Sequence, residues 1–320
     1  MTTRRLFLAT ALLSGAAMSP FALAADFPSK PIELIVPSSP GGGTDIMARR
    51  FADIARKYST QSFIVTNKPG ASGGIAMTEV QRAAPDGYKV GVLISELAII
   101  PHLGMTKVTT RDFIPLARLN GDPGLVAVRA DSPLKSIEEL LAQARKQPGE
   151  FSVGNAGTGT IWHLAAVALE DKTGVRFNHV PHQGAAPSVM ALAGGHVQAI
   201  VVSPAEIGSF VQAGKIRVLA SMADRRLPAP YAEVQTLKEK GIDLVVGTWR
   251  GLGVPLNTPA PVVSYLRDVA AKTAADPEFP AALLAANLQP AYMPGEEFQA
   301  FMDSQSAYFK QLLSGLNLQK

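Results

Sequence analysis

Residues 32–45 read Ile32-Glu33-Leu34-Ile35-Val36-Pro37-Ser38-Ser39-Pro40-Gly41-Gly42-Gly43-Thr44-Asp45 and join an apolar run to a glycine loop. An amphipathic segment follows, in which apolar residues recur at helical spacing on one face: Met47, Phe51, Ile54 and Tyr58. The pattern predicts a strand from Ile32 to Val36, a loop, and a helix whose N-cap is Thr44 or Asp45.

This glycine loop is a candidate anion site. Its glycines let the backbone approach a ligand, and the N–H groups at a helix start carry partial positive charge. A phosphate-binding P-loop requires Lys after its last glycine, whereas Gly43 is followed by Thr44, and Gly41-Gly42-Gly43 lacks the dinucleotide spacing. A carboxylate therefore fits better than a phosphate. A tight strand-to-helix turn without any ligand remains the alternative.

The centre of the chain repeats this arrangement. A strand at Phe151–Gly154 leads into the loop Ala156-Gly157-Thr158-Gly159-Thr160 and a helix from Ile161 to Asp171, while a third loop, 183–188, also precedes a helical segment. Ligands of open α/β sheets lie at the carboxyl ends of strands. We therefore expect two lobes whose glycine loops face each other across a cleft.

The N-terminus has the pattern of a signal peptide. Arg4-Arg5 precede an apolar segment, Leu6 to Ala17, and Ala22-Leu23-Ala24 is typical of a cleavage site. The pattern predicts cleavage near Ala24 and a periplasmic mature protein. Twin-arginine and Sec export both remain open.

Composition excludes several classes of function. The 320 residues include 30 basic residues, two of them in the leader, against 26 acidic ones, without a basic tract that would indicate a nucleic-acid partner. The absence of cysteine excludes thiolate catalysis, cysteine-ligated zinc and disulfides. With 47% hydrophobic residues, the chain can bury a sizeable core, and its length favours two domains.

Apolar runs alternate with amphipathic segments, which predicts an α/β fold with mostly parallel sheets. The strand candidates are Ile32–Val36, Phe63–Thr66, Val90–Ile94, Leu116–Leu119, Leu125–Val128, Phe151–Gly154, Val197–Val202, Arg217–Ser221 and Gly251–Val254. Ser136 and Glu139 have the spacing of a capping box at the start of a helix.

Several short motifs, in order, resemble the Bug family, the substrate-binding proteins of tripartite tricarboxylate transporters. They are Pro28-Ser29-Lys30-Pro31-Ile32, Pro40-Gly41-Gly42-Gly43-Thr44-Asp45, Asn67-Lys68-Pro69-Gly70-Ala71, Ala84-Pro85-Asp86-Gly87-Tyr88, Gly157-Thr158-Gly159, Ala213-Gly214-Lys215-Ile216-Arg217 and Pro294-Gly295-Glu296-Glu297-Phe298. Each is weak alone, whereas their shared order and spacing are specific.

The resemblance implies a two-lobed periplasmic binding protein type II fold, each lobe a mostly parallel sheet flanked by helices. Residues 25–122 and 227–320 are expected to form the first lobe and residues 123–226 the second. It implies a monomeric binding protein, not an enzyme, without cofactor or metal. The implied partners are a small organic acid or amino acid ligand and the integral membrane subunits of a tripartite tricarboxylate transporter.

The resemblance also implies the binding residues. They are expected in two contact loops and at two strand ends: Ser38, Ser39, Gly41, Gly42, Gly43, Thr44, Asp45, Ser95, Glu96, Gly157, Thr158, Gly159, Thr160, His163 and Ser203. We expect His163 mainly to fix its loop.

Two positions depart from the family pattern. His182-Gln183 replaces a usual Tyr-Lys pair, and Glu96 stands where small or hydroxyl residues are common. A carboxylate facing the cleft repels an acidic ligand and attracts a cationic group, which favours an amino acid, a zwitterion or a polar aromatic acid over a simple di- or tricarboxylate. The alternative is that Glu96 points to solvent or pairs with a basic neighbour.

Rival interpretations remain. Gly70-Ala71-Ser72-Gly73-Gly74 matches the nucleophile elbow of serine hydrolases, although Pro69 favours an open loop. His179 and His182 are interpreted as strand histidines rather than metal ligands, and Trp162 and Trp249 as buried aromatics. The loaded protein could also serve a membrane sensor kinase instead of a transporter.

Overall fold

The computed structural model describes residues 27–182 and 184–314, so the expected signal peptide lies outside the described residues. The chain there forms two sheets flanked by helices. The strands are β1 (Ile32–Val36), β2 (Phe63–Asn67), β3 (Lys89–Ile94), β4 (Phe113–Pro123), β5 (Leu125–Arg129), β6 (Ser152–Asn155), β7 (Asn178–Pro181), β8 (Ala199–Val202), β9 (Ile216–Ser221), β10 (Gly247–Pro255) and β11 (Pro290–Pro294). The helices are α1 (Gly43–Ala55), α2 (Gly74–Gln81), α3 (Ile137–Lys146), α4 (Ile161–Thr173), α5 (Ala185–Ala193), α6 (Pro204–Gln212), α7 (Ala260–Ala275), α8 (Glu278–Ala285) and α9 (Gly295–Ser314).

The first sheet has the strand order β11-β4-β10-β3-β1-β2. β1 runs parallel to β2 and β3, with Leu34 opposite Val65 and Val90. β10 is antiparallel to both β3 and β4, and β11 is antiparallel to β4. Buried Phe51 and Leu34 belong to one apolar core on this sheet.

The second sheet has the order β7-β6-β8-β5-β9, in which β6 is parallel to β7 and β8 while β5 is antiparallel to β8 and β9. The two-lobed α/β fold is confirmed, but the prediction of mostly parallel sheets is wrong, because both sheets are mixed. β4 leaves the first sheet directly into β5 of the second, and β10 brings the chain back. β4, β5 and β10 are antiparallel to the strands that they pair with.

The described chain crosses between the two sheets twice, at Gly124 and at Val246–Gly247, and these two crossings lie side by side. The N–H of Gly124 donates to the carbonyl of Val246 at 2.9 Å, and the N–H of Met222 donates to the carbonyl of Gly124 at 2.8 Å. A Cβ at Gly247 would lie 2.3 Å from the carbonyl oxygen of Asp122, so the close approach of the crossings requires glycine there.

All nine predicted strands are present, while β7 and β11 were absent from the predicted set. Helix α1 begins at Gly43 with Gly42 as its N-cap, so the prediction of Thr44 or Asp45 is wrong. Ser136 Oγ accepts from the N–H of Glu139 at 3.2 Å, as a capping residue does, whereas Glu139 Oε2 accepts from the N–H of Lys135 instead. Within the described residues no helix is long and apolar enough to cross a membrane.

Candidate functional site

A cavity of about 330 Å³ lies between the two sheets. It is lined by Pro37, Ser38, Thr44, Gly70, Ser72, Gly73, Ile94, Glu96, Thr160, Ile161, Trp162, Glu206, Thr248 and Arg250. The first sheet contributes the carboxyl ends of β1 and β3, and the second contributes α4 and α6, which follow β6 and β8. This is where α/β sheets bind ligands.

Thr44 brings the start of α1 to the cavity. Its Oγ1 accepts a hydrogen bond from Arg250 Nε at 2.9 Å. Its neighbour Asp45 is buried and accepts from the N–H of Gly41 at 2.8 Å, from Arg49 Nε at 3.0 Å and from Asn67 Nδ2 at 2.8 Å. Burial opposes these hydrogen bonds, but they keep the pKa of Asp45 below its ordinary value. The carboxylate of Asp45 thus stabilises the glycine loop from behind.

Thr160 is the N-cap of α4 and reaches the cavity from the second sheet. Its Oγ1 donates to the carbonyl of Gly157 at 2.7 Å. Nδ1 of buried His163 accepts from the N–H of Gly159 at 3.0 Å. Burial, and then the neighbouring His179, lower the pKa of His163 to about 4, so its ring is neutral at pH 7. A neutral ring can accept this hydrogen bond, and it fixes the loop.

Glu96 follows the end of β3 in a short 3-10 helix, Ser95–Ala98. Buried Ser95 shares a hydrogen bond with Thr248 Oγ1 at 2.9 Å and donates to Glu96 Oε2 at 3.0 Å. Burial raises the pKa of Glu96, against the lowering effects of its hydrogen bonds and of the Arg250 charge. The side chain of Glu96 lines the cavity, so the alternative that it points to solvent is not what the structure shows.

Glu206 lines the cavity from the first turn of α6. Its Oε2 accepts from the N–H and Oγ of Ser203 at 2.7 and 3.0 Å, which forms a capping box. Its Oε1 accepts from Trp162 Nε1 at 3.1 Å and so ties α6 to the start of α4. Burial raises the pKa of Glu206, although these hydrogen bonds oppose the change.

Arg250 supplies the guanidinium of the cavity from β10. It is 11% exposed, and its Nη1 lies 2.6 Å from Oδ2 of fully buried Asp122. The same nitrogen donates to Asn120 Oδ1. Both partners lie on neighbouring β4, so the first sheet holds Arg250 in place while Nε reaches across to Thr44.

Four of the residues predicted for the site line the cavity: Ser38, Thr44, Glu96 and Thr160. The other predicted residues are absent from its lining: Ser39, Gly41, Gly42, Gly43, Asp45, Ser95, Gly157, Thr158, Gly159, His163 and Ser203. Several of these hold lining residues by the hydrogen bonds above. The sequence interpretation missed Arg250, Glu206 and Thr248. The sequence held a signal for two of them: Arg250 is a lone charge inside an apolar strand, and Glu206 ends a Ser-x-x-Glu pattern at 203–206.

Ser72 also lines the cavity and has a φ of +51°, in the left-handed region. Among the described residues no histidine lines the cavity beside it. His179 lies 3.2 Å from Glu170 and edge-on to His163, and no group of three or more His, Asp or Glu in the described chain is arranged to hold a metal ion. Trp249 is buried against Phe298, away from the cavity lining.

The family model described as the tripartite tricarboxylate transporter family receptor matches residues 47–318. A Cupriavidus necator protein, named UPF0065 protein in gbd 5'region, is 35% identical over 98% of this chain and 95% of its own length. A TctC solute-binding protein from Polaromonas, solved without ligand, is 48% identical with a TM-score of 0.81 over 91% of this chain and 100% of its own. An R. palustris protein solved with adipate is 28% identical, with a TM-score of 0.78 over 90% of this chain and 98% of its own.

Proposed function

Because the chain belongs to the tripartite tricarboxylate transporter receptor family, whose members are periplasmic solute-binding proteins, we propose that it captures a small carboxylate-bearing metabolite between its lobes. The protein then delivers this ligand to the integral membrane subunits of a tripartite tricarboxylate transporter. The observation that carries the proposal is the shared cavity, to which α1 of the first sheet and α4 of the second contribute Thr44 and Thr160. Two helix starts and the Arg250 guanidinium converge on it, and each favours a carboxylate.

The cavity also presents a hydroxyl that suits a ligand. Ser38 Oγ is buried and has no hydrogen-bond partner among the residues that the structure describes. Buried polar groups in native proteins are almost always paired, so a ligand oxygen or a bridging water is the expected partner of this hydroxyl. Adipate in the R. palustris relative supports the same class of ligand.

We propose that the side-by-side crossings at Gly124 and at Val246–Gly247 act as the hinge. Only two short segments then need to change φ and ψ when the lobes close. The division at residues 122/123 and 226/227 remains a prediction. The segment 227–246 contacts the second sheet and its helices, since Tyr231 Oη donates to the Pro204 carbonyl at 3.2 Å and the N–H of Leu237 donates to the Ser221 carbonyl at 2.8 Å, so we propose that it moves with the second lobe. Hydrogen exchange with and without ligand tests the hinge, because amides whose hydrogen bonds open or rearrange on closure change their protection, whereas those inside a rigid lobe do not.

A thermal-shift screen of the ligand-free mature protein tests the proposal. The panel contains mono-, di- and tricarboxylates, amino acids and aromatic acids, and the protein is refolded from denaturant beforehand to remove bound metabolites. A ligand that binds only the native state raises the midpoint by mass action. We expect one class of acid to raise it in a concentration-dependent manner. If every acid leaves the midpoint unchanged up to millimolar concentration, the proposal is wrong.

The serine hydrolase alternative depends on Ser72. A fluorophosphonate probe should leave the protein unlabelled, since no histidine among the described residues lines the cavity to activate this hydroxyl. Labelling that disappears in Ser72→Ala would favour the hydrolase.

A further inference from the structure

The cavity walls carry more negative than positive side chains. Glu96 enters from the first sheet and Glu206 from the second, and Arg250 is the one cationic side chain in the lining found among the described residues. A cavity built for a ligand with two or three carboxylates is expected to have the opposite balance.

The charge of Arg250 is already matched by a carboxylate of the protein. Its Nη1 lies 2.6 Å from Asp122 Oδ2, and Asp122 is 1% exposed, so this ion pair lies directly behind the cavity. Arg250 can still offer a hydrogen bond to a ligand, but its ion-pair partner is Asp122 and not Glu96 or Glu206. Burial raises the pKa of both glutamates and outweighs the lowering effects of their hydrogen bonds and of the Arg250 charge.

The two glutamates differ in how they are held. Glu206 accepts from Ser203 and Trp162 and thereby joins the starts of α6 and α4, which accounts for its position. Glu96 accepts at Oε2 from Ser95, and its Oε1 has no side-chain partner within residues 27–182 and 184–314. Glu96 is therefore the carboxylate presented to a ligand, with Glu206 across the cavity from it.

We infer that the ligand carries an ammonium group as well as a carboxylate, with Glu96 as the main ammonium subsite and Glu206 contributing from the other lobe. The carboxylate of this amino acid or related ω-amino acid lies at the starts of α1 and α4, near Thr44 and Thr160. The inference rests on the proposed function, because it names the chemical class of the same ligand. Lobe closure brings two carboxylates towards one ammonium, so the positive charge of the ligand favours the closed state.

Calorimetry with ligand pairs that differ only in an amino group tests the inference. The pairs are succinate with aspartate, glutarate with glutamate, and butyrate with 4-aminobutyrate, titrated into the refolded mature protein. In at least one pair we expect the amino member to bind roughly 10- to 150-fold tighter, the factor that a hydrogen bond between charged groups supplies. Glu96→Gln should remove that preference and leave the affinity for the partner without nitrogen unchanged or higher.

Glu138→Gln is the matched control. Glu138 lies on α3, is exposed, forms an ion pair with Lys240 and does not line the cavity. It should retain the preference of the wild type. If Glu96→Gln does not fold, the ratio of the two wild-type affinities within each ligand pair decides the question alone.

The outcomes separate this inference from the proposed function. If acids without nitrogen bind the wild type as tightly as their amino partners, or if Glu96→Gln leaves the ratio unchanged, the inference is overturned while the proposed function stands. If neither member of any pair binds, and the thermal-shift panel also gives no ligand, both fail. Ethylammonium has an ammonium group but no carboxylate. If it binds the wild type as tightly as the amino members of the pairs do, both the inference and the proposed function are contradicted.

Discussion

Arg250 on β10 and Asp122 on β4 form a buried ion pair with an Nη1–Oδ2 distance of 2.6 Å, and the same guanidinium donates to Thr44 at the start of α1. The pair lies next to the strand crossing, where Gly247 packs on the Asp122 carbonyl. One charged contact therefore links the hinge region, the cavity and the first glycine loop. This arrangement makes the pair both a stability element and a binding element.

Arg250→Met is expected to lower the free energy of unfolding by about 3–5 kcal/mol, because it leaves Asp122 buried without its cation. The double variant Asp122→Asn/Arg250→Met should recover most of that loss and still bind ligand weakly. Urea unfolding followed by circular dichroism measures both. Equal stability of the single and double variants would contradict the role assigned to the pair.

Gly42→Asp is expected to fold and to bind ligand at least tenfold more weakly. A Cβ at Gly42 meets only the Ser39 carbonyl, at 3.7 Å, so the side chain fits. Gly42 is the N-cap of α1, where an Asp side chain can accept from the N–H groups of the first turn and place negative charge there. Gly42→Asn caps the helix without charge and should retain binding. Calorimetry showing the same loss in both variants would count against an anion site at this helix start.

Acid should destabilise the protein through His163. Its pKa is about 4 in the folded state against 6.5 when unfolded, so the unfolded state binds more protons between these values. Stability is lost as the pH falls below 6.5 and the loss is complete below about 4, with a maximum of about 3 kcal/mol. His163→Gln should flatten this part of the pH profile, whereas exposed His196→Gln should not. A profile unchanged by His163→Gln would contradict the buried neutral ring.

Glu96→Gln is expected to raise the thermal midpoint of the ligand-free protein at pH 7. Burial raises the pKa of Glu96 in the folded state, so its ionisation costs stability as the pH rises above the ordinary value of 4.5. Below that pH, wild type and variant should melt alike. A lower midpoint for the variant at pH 7 would show that the carboxylate has a cationic partner in the free protein.

Much of the fold could be predicted because its signals are local. Ile32 to Val36 is a run of mostly β-branched residues, and Met47, Phe51 and Ile54 mark the buried face of α1. β11 was missed because it is a short strand that begins and ends with proline, and β7 because it is a four-residue edge strand. The mixed strand directions follow from two crossings between sheets, which no local pattern records.

The candidate site was predicted less completely because its parts are brought together over long sequence separations. Thr44 and Thr160 were found through their glycine loops, whereas Arg250 is positioned by Asp122 and Thr44, 128 and 206 residues away. The predicted strand began at Gly251, just after the charged residue. Glu206 had a local signal in the Ser203 capping box, but only the fold shows that this helix start faces the cavity.

The most direct test of the account places a negative charge in the cavity from each sheet in turn. The acid that gives the largest thermal shift is titrated calorimetrically into the wild type, Thr44→Asp and Thr160→Asp. We predict that both variants fold and that each loses about a hundredfold in affinity, since a like charge beside the ligand carboxylate costs several kcal/mol. Thr160→Asp should melt at a lower temperature than the wild type, because a carboxylate cannot donate to the Gly157 carbonyl as the Thr160 hydroxyl does. Wild-type affinity in either variant would show that the ligand does not bind between the two helix starts.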